Sequence, residues 1–235
     1  MNILTAHNRV ECIILGAGSG TRIGKGPKAF VRLGQTTLLQ IAVNVAFQVF
    51  NRVIVALPAD HINSARSLIT DPRVVFVSGG PRRIDTLRIL VQESKSNWIV
   101  LHDVVHPFIS PKVIKDVLEA AYLTGAAAAT ERQYDFLYSE RGEKLADPGK
   151  AFIVQKPIAF CRDRILKGFK KADLLGITHD ASILEIFNLA EIIPTFIKGS
   201  PLNRKITHSS DLKLAEAIVS RFDDLYQLID GAEVE

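Results

Sequence analysis

The chain has 235 residues, 47% hydrophobic and 23% charged, which supports one α/β domain with a sizeable core. A net charge of +4 with scattered basic residues and only 7% aromatics argues against a nucleic-acid-binding module, and two cysteines (Cys12 and Cys161) are too few for a disulfide framework or a zinc site. No apolar run approaches the ~20 residues of a membrane span, and residues 1–7 lack a signal peptide's basic head and long apolar centre, so the expectation is one cytoplasmic domain over 1–235 with no membrane partner.

Hydrophobic runs alternate with amphipathic stretches. Residues 10–15 read as a strand, and 37–49 (TLLQIAVNVAFQV) carry apolar residues at helical spacing. A buried strand is predicted at 52–57, a helix at 61–69, a strand at 74–77, a helix at 82–92 and a strand at 98–101. Ser110 followed by Pro111 is an N-cap with proline at the first helical position, opening a helix to about residue 123. This order predicts an α/β class: a doubly wound, mostly parallel, Rossmann-like sheet with helices on both faces. After Gly125 and the alanines 126–129 the pattern changes. Short β-like segments at 134–138 and 151–154 flank a polar stretch, 139–150, and predict a protruding hairpin arm at about 133–156. Helices are predicted at 162–174 and 181–189. An edge-like strand broken by Pro194 is predicted at 192–197, and a closing helix at 211–222 precedes an acidic tail.

These elements are organised around Cys12-Ile13-Ile14-Leu15-Gly16-Ala17-Gly18-Ser19-Gly20-Thr21-Arg22, followed by Pro27-Lys28. A glycine loop after a strand lets backbone N–H groups approach phosphate oxygens with no Cβ in the way. Arg22 can fork two such oxygens, and Lys28 adds a point charge. The P-loop pattern finds no register here. The dinucleotide fingerprint fails at Thr21 and lacks an acid about 20 residues on, where Gln35-Thr36-Thr37 stand. The remaining pattern, G-x-G-x-G-x-R with a downstream Pro-Lys, fits a nucleoside triphosphate site, and taken alone it fits a plain strand-to-turn glycine cluster equally well. His102-Asp103 follows another strand, so it can share the crevice at the carboxyl ends of the strands. Asp103 is the candidate ligand for Mg²⁺, because one carboxylate plus phosphates and water suffices for a hard cation; an aspartate that merely caps a turn is the plainer alternative.

In chain order, residues 15–22, Pro27-Lys28, Gly79-Gly80 with Arg83 and Thr86, His102-Asp103 with Pro107-Phe108, and residues 203–207 with Asp211 resemble the methylerythritol phosphate cytidylyltransferase family and its ribitol phosphate relatives. The resemblance covers nearly the whole chain. It implies transfer of CMP from CTP to a polyol phosphate with release of pyrophosphate, in non-mevalonate isoprenoid precursor synthesis. The preferred acceptor is 2-C-methyl-D-erythritol 4-phosphate, with ribitol 5-phosphate as the alternative. It also implies roles: Gly16, Ala17, Gly18, Ser19 and Gly20 on the phosphates, and Arg22, Lys28, Lys205 and Asp103 in catalysis. Gly80, Arg83 and Thr86 would hold the cytosine and ribose, and His106, Arg162, Thr178 and Thr207 fall at acceptor-side positions. Arg162 aligns with an arginine that grips the acceptor phosphate from a partner subunit, and it is equally one more base on a helix with Arg164, Lys167, Lys170 and Lys171. A homodimer joined through the arm is implied too, although an ordinary surface hairpin reads the same.

The chain departs from the family pattern in five places, one of them the arm, where the usual Asp-Thr-x-Lys has no clear match around Asp135-Phe136-Leu137-Tyr138. His-Asp-x-x-Arg-Pro ends in His106-Pro107, so a permanent cation becomes an imidazole that is mostly neutral at about pH 7. Pro-Lys-Gln becomes Pro27-Lys28-Ala29, Thr-Pro-Gln becomes Lys156-Pro157-Ile158, and an acid after Thr178 becomes His179. Most of these changes lie on the acceptor side. An active transferase with altered acceptor handling and a catalytically weakened nucleotide-binding scaffold both fit.

Overall fold

The computed structural model describes residues 10–177 and 179–221. Strand β1 (Val10–Leu15) is followed by a small ladder of β2 (Arg32–Leu33) and β3 (Thr36–Thr37), then by helix α1 (Leu38–Phe47). Thr37 starts α1 with a capping box: its hydroxyl accepts from Gln40 N–H at 3.2 Å, and the Gln40 side chain accepts from Thr37 N–H at 3.0 Å. Strand β4 (Val53–Leu57), α2 (Ile62–Leu68), β5 (Val74–Ser78), α3 (Arg83–Glu93), β6 (Trp98–Asp103) and α4 (Pro111–Thr124) come next. The Ser110 hydroxyl caps α4 by accepting from Val113 N–H at 3.2 Å, with Pro111 at the first helical position as the sequence predicts. Strand β7 (Ala126–Gln133), the short β8 (Leu137–Tyr138) and β9 (Lys144–Ala146), and β10 (Ala151–Cys161) follow, then α5 (Arg162–Leu174), α6 (Ile183–Leu189), β11 (Thr195–Lys198) and α7 (Ser209–Val219).

The main sheet has seven strands in the order β11-β7-β10-β6-β1-β4-β5. Only β10 runs against its neighbours; every other pairing is parallel. Strand alternation divides the core into two layers. Cys12 and Ile14 face the side covered by α1, α4 and α7, while Ile13 and Leu15 face the side covered by α3, α5 and α6. The doubly wound, mostly parallel sheet is therefore present.

Several boundaries differ from the sequence reading. The alanines 126–129 form the inner half of β7, fully buried between the two helical layers. Strand β10 continues well past residue 154, to Cys161, and joins the arm to the sheet centre. Strand β6 runs through His102 and Asp103, so Asp103 ends the strand rather than following it. The arm is the outer part of β7 and β10 plus the β8–β9 ladder, in which Leu137 pairs with Ala146. Strand β11 is an edge strand as predicted, but it begins after Pro194 and spans Thr195–Lys198 rather than 192–197. Residue 222 and the acidic tail lie outside the described residues.

Candidate active site

The loop after β1 folds back on itself. Gly16 N–H donates to Ala56 carbonyl at 2.9 Å, and Gly20 carbonyl accepts from Ile23 and Gly24 N–H at 3.0 and 3.1 Å. Gly20 has φ +71°, and a Cβ there would collide with the Gly26 carbonyl, so this position requires glycine. The turn brings Lys28 back under the loop, where its N–H donates to Gly18 carbonyl at 3.3 Å. Lys28 is only 8% exposed, and its ammonium donates to Ile206 carbonyl at 3.3 Å. Ile206 N–H in turn donates to Val105 carbonyl at 2.9 Å. The segment carrying Lys205 is thus fastened both to Lys28 and to the exit of β6, although the three lie far apart in the chain.

Asp103 stands level with Leu15 on the adjacent parallel strand and is 2% exposed. Its Oδ2 accepts from Arg83 at 2.9 Å, whereas its buried Oδ1 has no hydrogen-bond partner. Burial alone would raise its pKa, but the Arg83 guanidinium and Lys156 ammonium outweigh burial and hold the carboxyl below the usual carboxylate range. Arg83 opens α3, whose first turn is held by Asp180: its Oδ1 accepts from Ile84 N–H at 3.0 Å. The Thr86 hydroxyl accepts from Gly80 N–H at 3.0 Å and donates to Arg82 carbonyl at 3.1 Å. It therefore fixes the Gly79-Gly80 turn, which passes so close to the glycine loop that a Cβ at Gly79 would stand 2.5 Å from Ala17 Cβ.

A cavity of about 460 Å³ brings together Gly16, Ala17, Gly18, Ser19, Gly20, Arg22, Lys28, Gly80, Arg83, Thr86, Asp103 and Lys205. A second cavity of about 820 Å³ shares Arg83, Asp103, Asp180 and Lys205 with the first, and adds His106, Lys156, Asn203 and the arm-root residues Glu131, Gln133 and Asp135. His106 is buried there with Nδ1 3.2 Å from Asn203 carbonyl. Burial pulls its pKa down to about 4, and that of the neighbouring His102 down to about 3. Both imidazoles are neutral near neutral pH. In the unfolded chain each takes up a proton near pH 6.5. The unfolded state thus binds more protons below that value, and stability should fall as pH drops from about 6.5 towards 4, by up to ~1.4 kcal/mol per pH unit for each histidine. Urea-unfolding midpoints at about pH 7 and about pH 5 check this; equal midpoints would mean that the rings are not buried neutral.

Other sequence-predicted residues lie elsewhere. Cys161 pairs with Trp98 at the opposite end of β6 from Asp103. Arg162 therefore sits about five residues, or ~17 Å, away, with its Nε donating to Val91 carbonyl at 3.0 Å. The structure does not bring Arg162 to either cavity of its own chain. Thr207 lines neither cavity; its N–H donates to Asp211 Oδ2 at 2.8 Å, which braces the start of α7. Thr178 lies outside the described residues. Sequence reasoning missed Asp180, an aspartate in a loop with no local pattern to mark it. It also treated Lys156 only as a departure.

Comparisons with known proteins point to the same family as the sequence motifs. The family model for IspD, 2-C-methyl-D-erythritol 4-phosphate cytidylyltransferase, matches residues 10–221. A protein of that name from Deinococcus radiodurans is 30% identical over 97% of each chain, and one from Thermus thermophilus is 33% identical over 89% of this chain and 96% of its own. The crystal structure of a Thermus thermophilus enzyme of the same name superposes with a TM-score of 0.75 at 28% identity, covering 89% of this chain and 98% of the other. A 4-diphosphocytidyl-2C-methyl-D-erythritol synthase structure from Anaerococcus prevotii, 20% identical with a TM-score of 0.78, covers 91% of this chain and 99% of its own and shares the fold. The family match spans all the described residues, and on that ground the chain belongs to the 2-C-methyl-D-erythritol 4-phosphate cytidylyltransferase family.

Proposed function

We propose that the chain transfers CMP from CTP to 2-C-methyl-D-erythritol 4-phosphate and releases pyrophosphate, a step of isoprenoid precursor synthesis. The observation that carries this reading is the shared wall: Asp103 and Lys205 line both cavities, so two ligands there meet at one seam. The triphosphate of CTP lies on the glycine loop, with Arg22, Lys28 and Lys205 around it, and the acceptor fills the second cavity. An oxygen of the acceptor phosphate attacks the α-phosphorus of CTP in line. A new P–O bond forms as the bond from the α-phosphorus to the bridging oxygen breaks, and pyrophosphate leaves with that electron pair. The attacking phosphate is already an anion, so no base is needed. The work of the site is positioning and charge neutralisation.

Mg²⁺ fits Asp103. The carboxylate is ionised and its buried Oδ1 has no protein partner. No cluster of three or more metal-binding side chains occurs among the described residues, so phosphate oxygens and water would complete the shell. Bound there, the ion supplies positive charge to the triphosphate. The arm exposes Tyr134, Phe136, Tyr138 and Leu145, an apolar surface suited to a second copy of the chain in a homodimer. No helix among the described residues is long and apolar enough to cross a membrane. Pyrophosphate release from CTP, Mg²⁺ and the acceptor tests the assignment: turnover with methylerythritol phosphate supports it, while CTP binding without turnover on any polyol phosphate indicates the scaffold alternative.

A further inference from the structure

The wall of the second cavity contains a buried cation that feels the Asp103 carboxylate but makes no ion pair with it. Lys156 is 6% exposed, yet its ammonium makes no ion pair or hydrogen bond with any described residue; only its backbone carbonyl is engaged, by Asn203 Nδ2 at 2.6 Å. Asp103, whose Oδ2 already accepts from Arg83, offsets this ammonium only from beyond ion-pair distance, so an anion entering the cavity would complete its charge balance. Burial lowers its pKa to about 8 and Asp103 acts in the opposite direction, which leaves it mostly charged at neutral pH.

Backbone geometry aims it. The β7–β10 register shifts between Val154 and Ile158, so Gln155, Lys156 and Pro157 leave the ladder as a bulge, a device that re-aims side chains. Gln155 is then locked by Ser200, accepting from its N–H at 3.3 Å and donating to its carbonyl at 2.9 Å. Ile158 pairs with Leu101 on antiparallel β6, so Lys156, two residues back, falls level with Asp103 at the seam. The second cavity holds both signs: cations at Lys156, Lys205, Arg83 and Arg204, and carboxylates that include Asp103, Glu131 and Asp135, the last two at the arm root, where they would repel an anion but accept from hydroxyls. His106, neutral in this cavity, supplies no charge.

We infer that Lys156 seats the acceptor's phosphate at the seam, with the polyol hydroxyls directed towards Glu131, Gln133 and Asp135. The inference rests on the transferase reading above and gives that site its acceptor cation. An ammonium here also offsets repulsion between the incoming phosphate and the triphosphate, and it takes no proton in the step.

The test compares wild type with Lys156→Met and Lys156→Arg in steady-state kinetics. It adds calorimetric binding of methylerythritol phosphate to protein saturated with the α,β-methylene analogue of CTP. Lys156→Met should raise the acceptor KM and Kd by about 10–100-fold, with CTP affinity within about twofold and Lys156→Arg restoring most of the loss. An unchanged acceptor constant, or parallel loss of CTP and acceptor binding, overturns the inference; if the Met variant does not fold, Lys156→Gln supplies the same comparison. Lys156-dependent acceptor binding without pyrophosphate release would sink the transferase reading and leave the seat standing. Turnover with an unaltered acceptor constant does the reverse, and a wild type that neither binds nor turns over the acceptor removes both.

Discussion

Replacing Asp103 with asparagine is expected to lower kcat for CMP transfer by about 10²–10³-fold, the usual cost of removing a preorganised charge from a transition state. The substitution keeps shape and lets an amide oxygen accept from Arg83, but it puts an N–H₂ in place of the buried, unpartnered Oδ1 of a residue that lines both cavities. A carboxylate that could hold a cation thereby becomes a group that repels one. The fold should tolerate the change. The Arg83 side chain is 42% exposed and can be hydrated when its partner loses charge, but buried Lys156 loses the carboxylate that offsets it, so stability should fall without abolishing folding. A cooperative unfolding transition well above the assay temperature, measured beside the rate, separates lost chemistry from lost structure. Turnover within about threefold of wild type would take Asp103 out of the reaction.

Lys28→Met should give opposite signs for binding and stability. Burial, Arg22 and Lys205 all push the Lys28 pKa down, with Asp211 and Asp103 acting against them, so the empty site holds this cation at a cost. A methionine of similar length removes the repulsion and leaves only the Ile206 carbonyl without its donor, a loss of about 1 kcal/mol that the relief offsets. Stability without nucleotide should be unchanged or higher, while CTP affinity falls by about 10–100-fold. Calorimetric CTP binding and thermal unfolding of the same variant provide the check. Lower stability with intact CTP affinity would make Lys28 a structural residue.

The parts legible in the sequence are those whose signals are local. The glycine loop after residues 10–15, the Ser110-Pro111 start of α4 and the alternation of strands and helices each declare themselves within a dozen residues. Ala126–Ala129 carries no such signal. Alanine favours helix by propensity, and these four become strand because two helical layers bury both their faces and leave room only for methyl groups. The length of β10 escaped for a related reason, since its inner half is paired on both sides by distant strands. A strand crossing the whole sheet also delivers Arg162 to the end away from this chain's own cavities, where it can meet an acceptor only across a subunit interface.

Asp103, Lys28 and Lys205 were legible as an ordered set of motifs, but their meeting depends on long-range bonds such as Lys28 to Ile206 carbonyl. The acceptor side was the hardest to read. In one dimension, histidine at 106 and lysine at 156 look like two separate losses. In three dimensions they line one cavity, and the charge missing at the first position is present at the second.

The most direct measurement is a crystal structure of the protein with CTP and Mg²⁺. The expected result is the triphosphate within hydrogen-bond distance of backbone N–H groups in residues 16–20, with Lys28 and Lys205 on its oxygens and the α-phosphate facing the cavity that holds Lys156. A nucleotide bound away from the glycine loop, or one with its α-phosphate turned from the second cavity, would contradict the account.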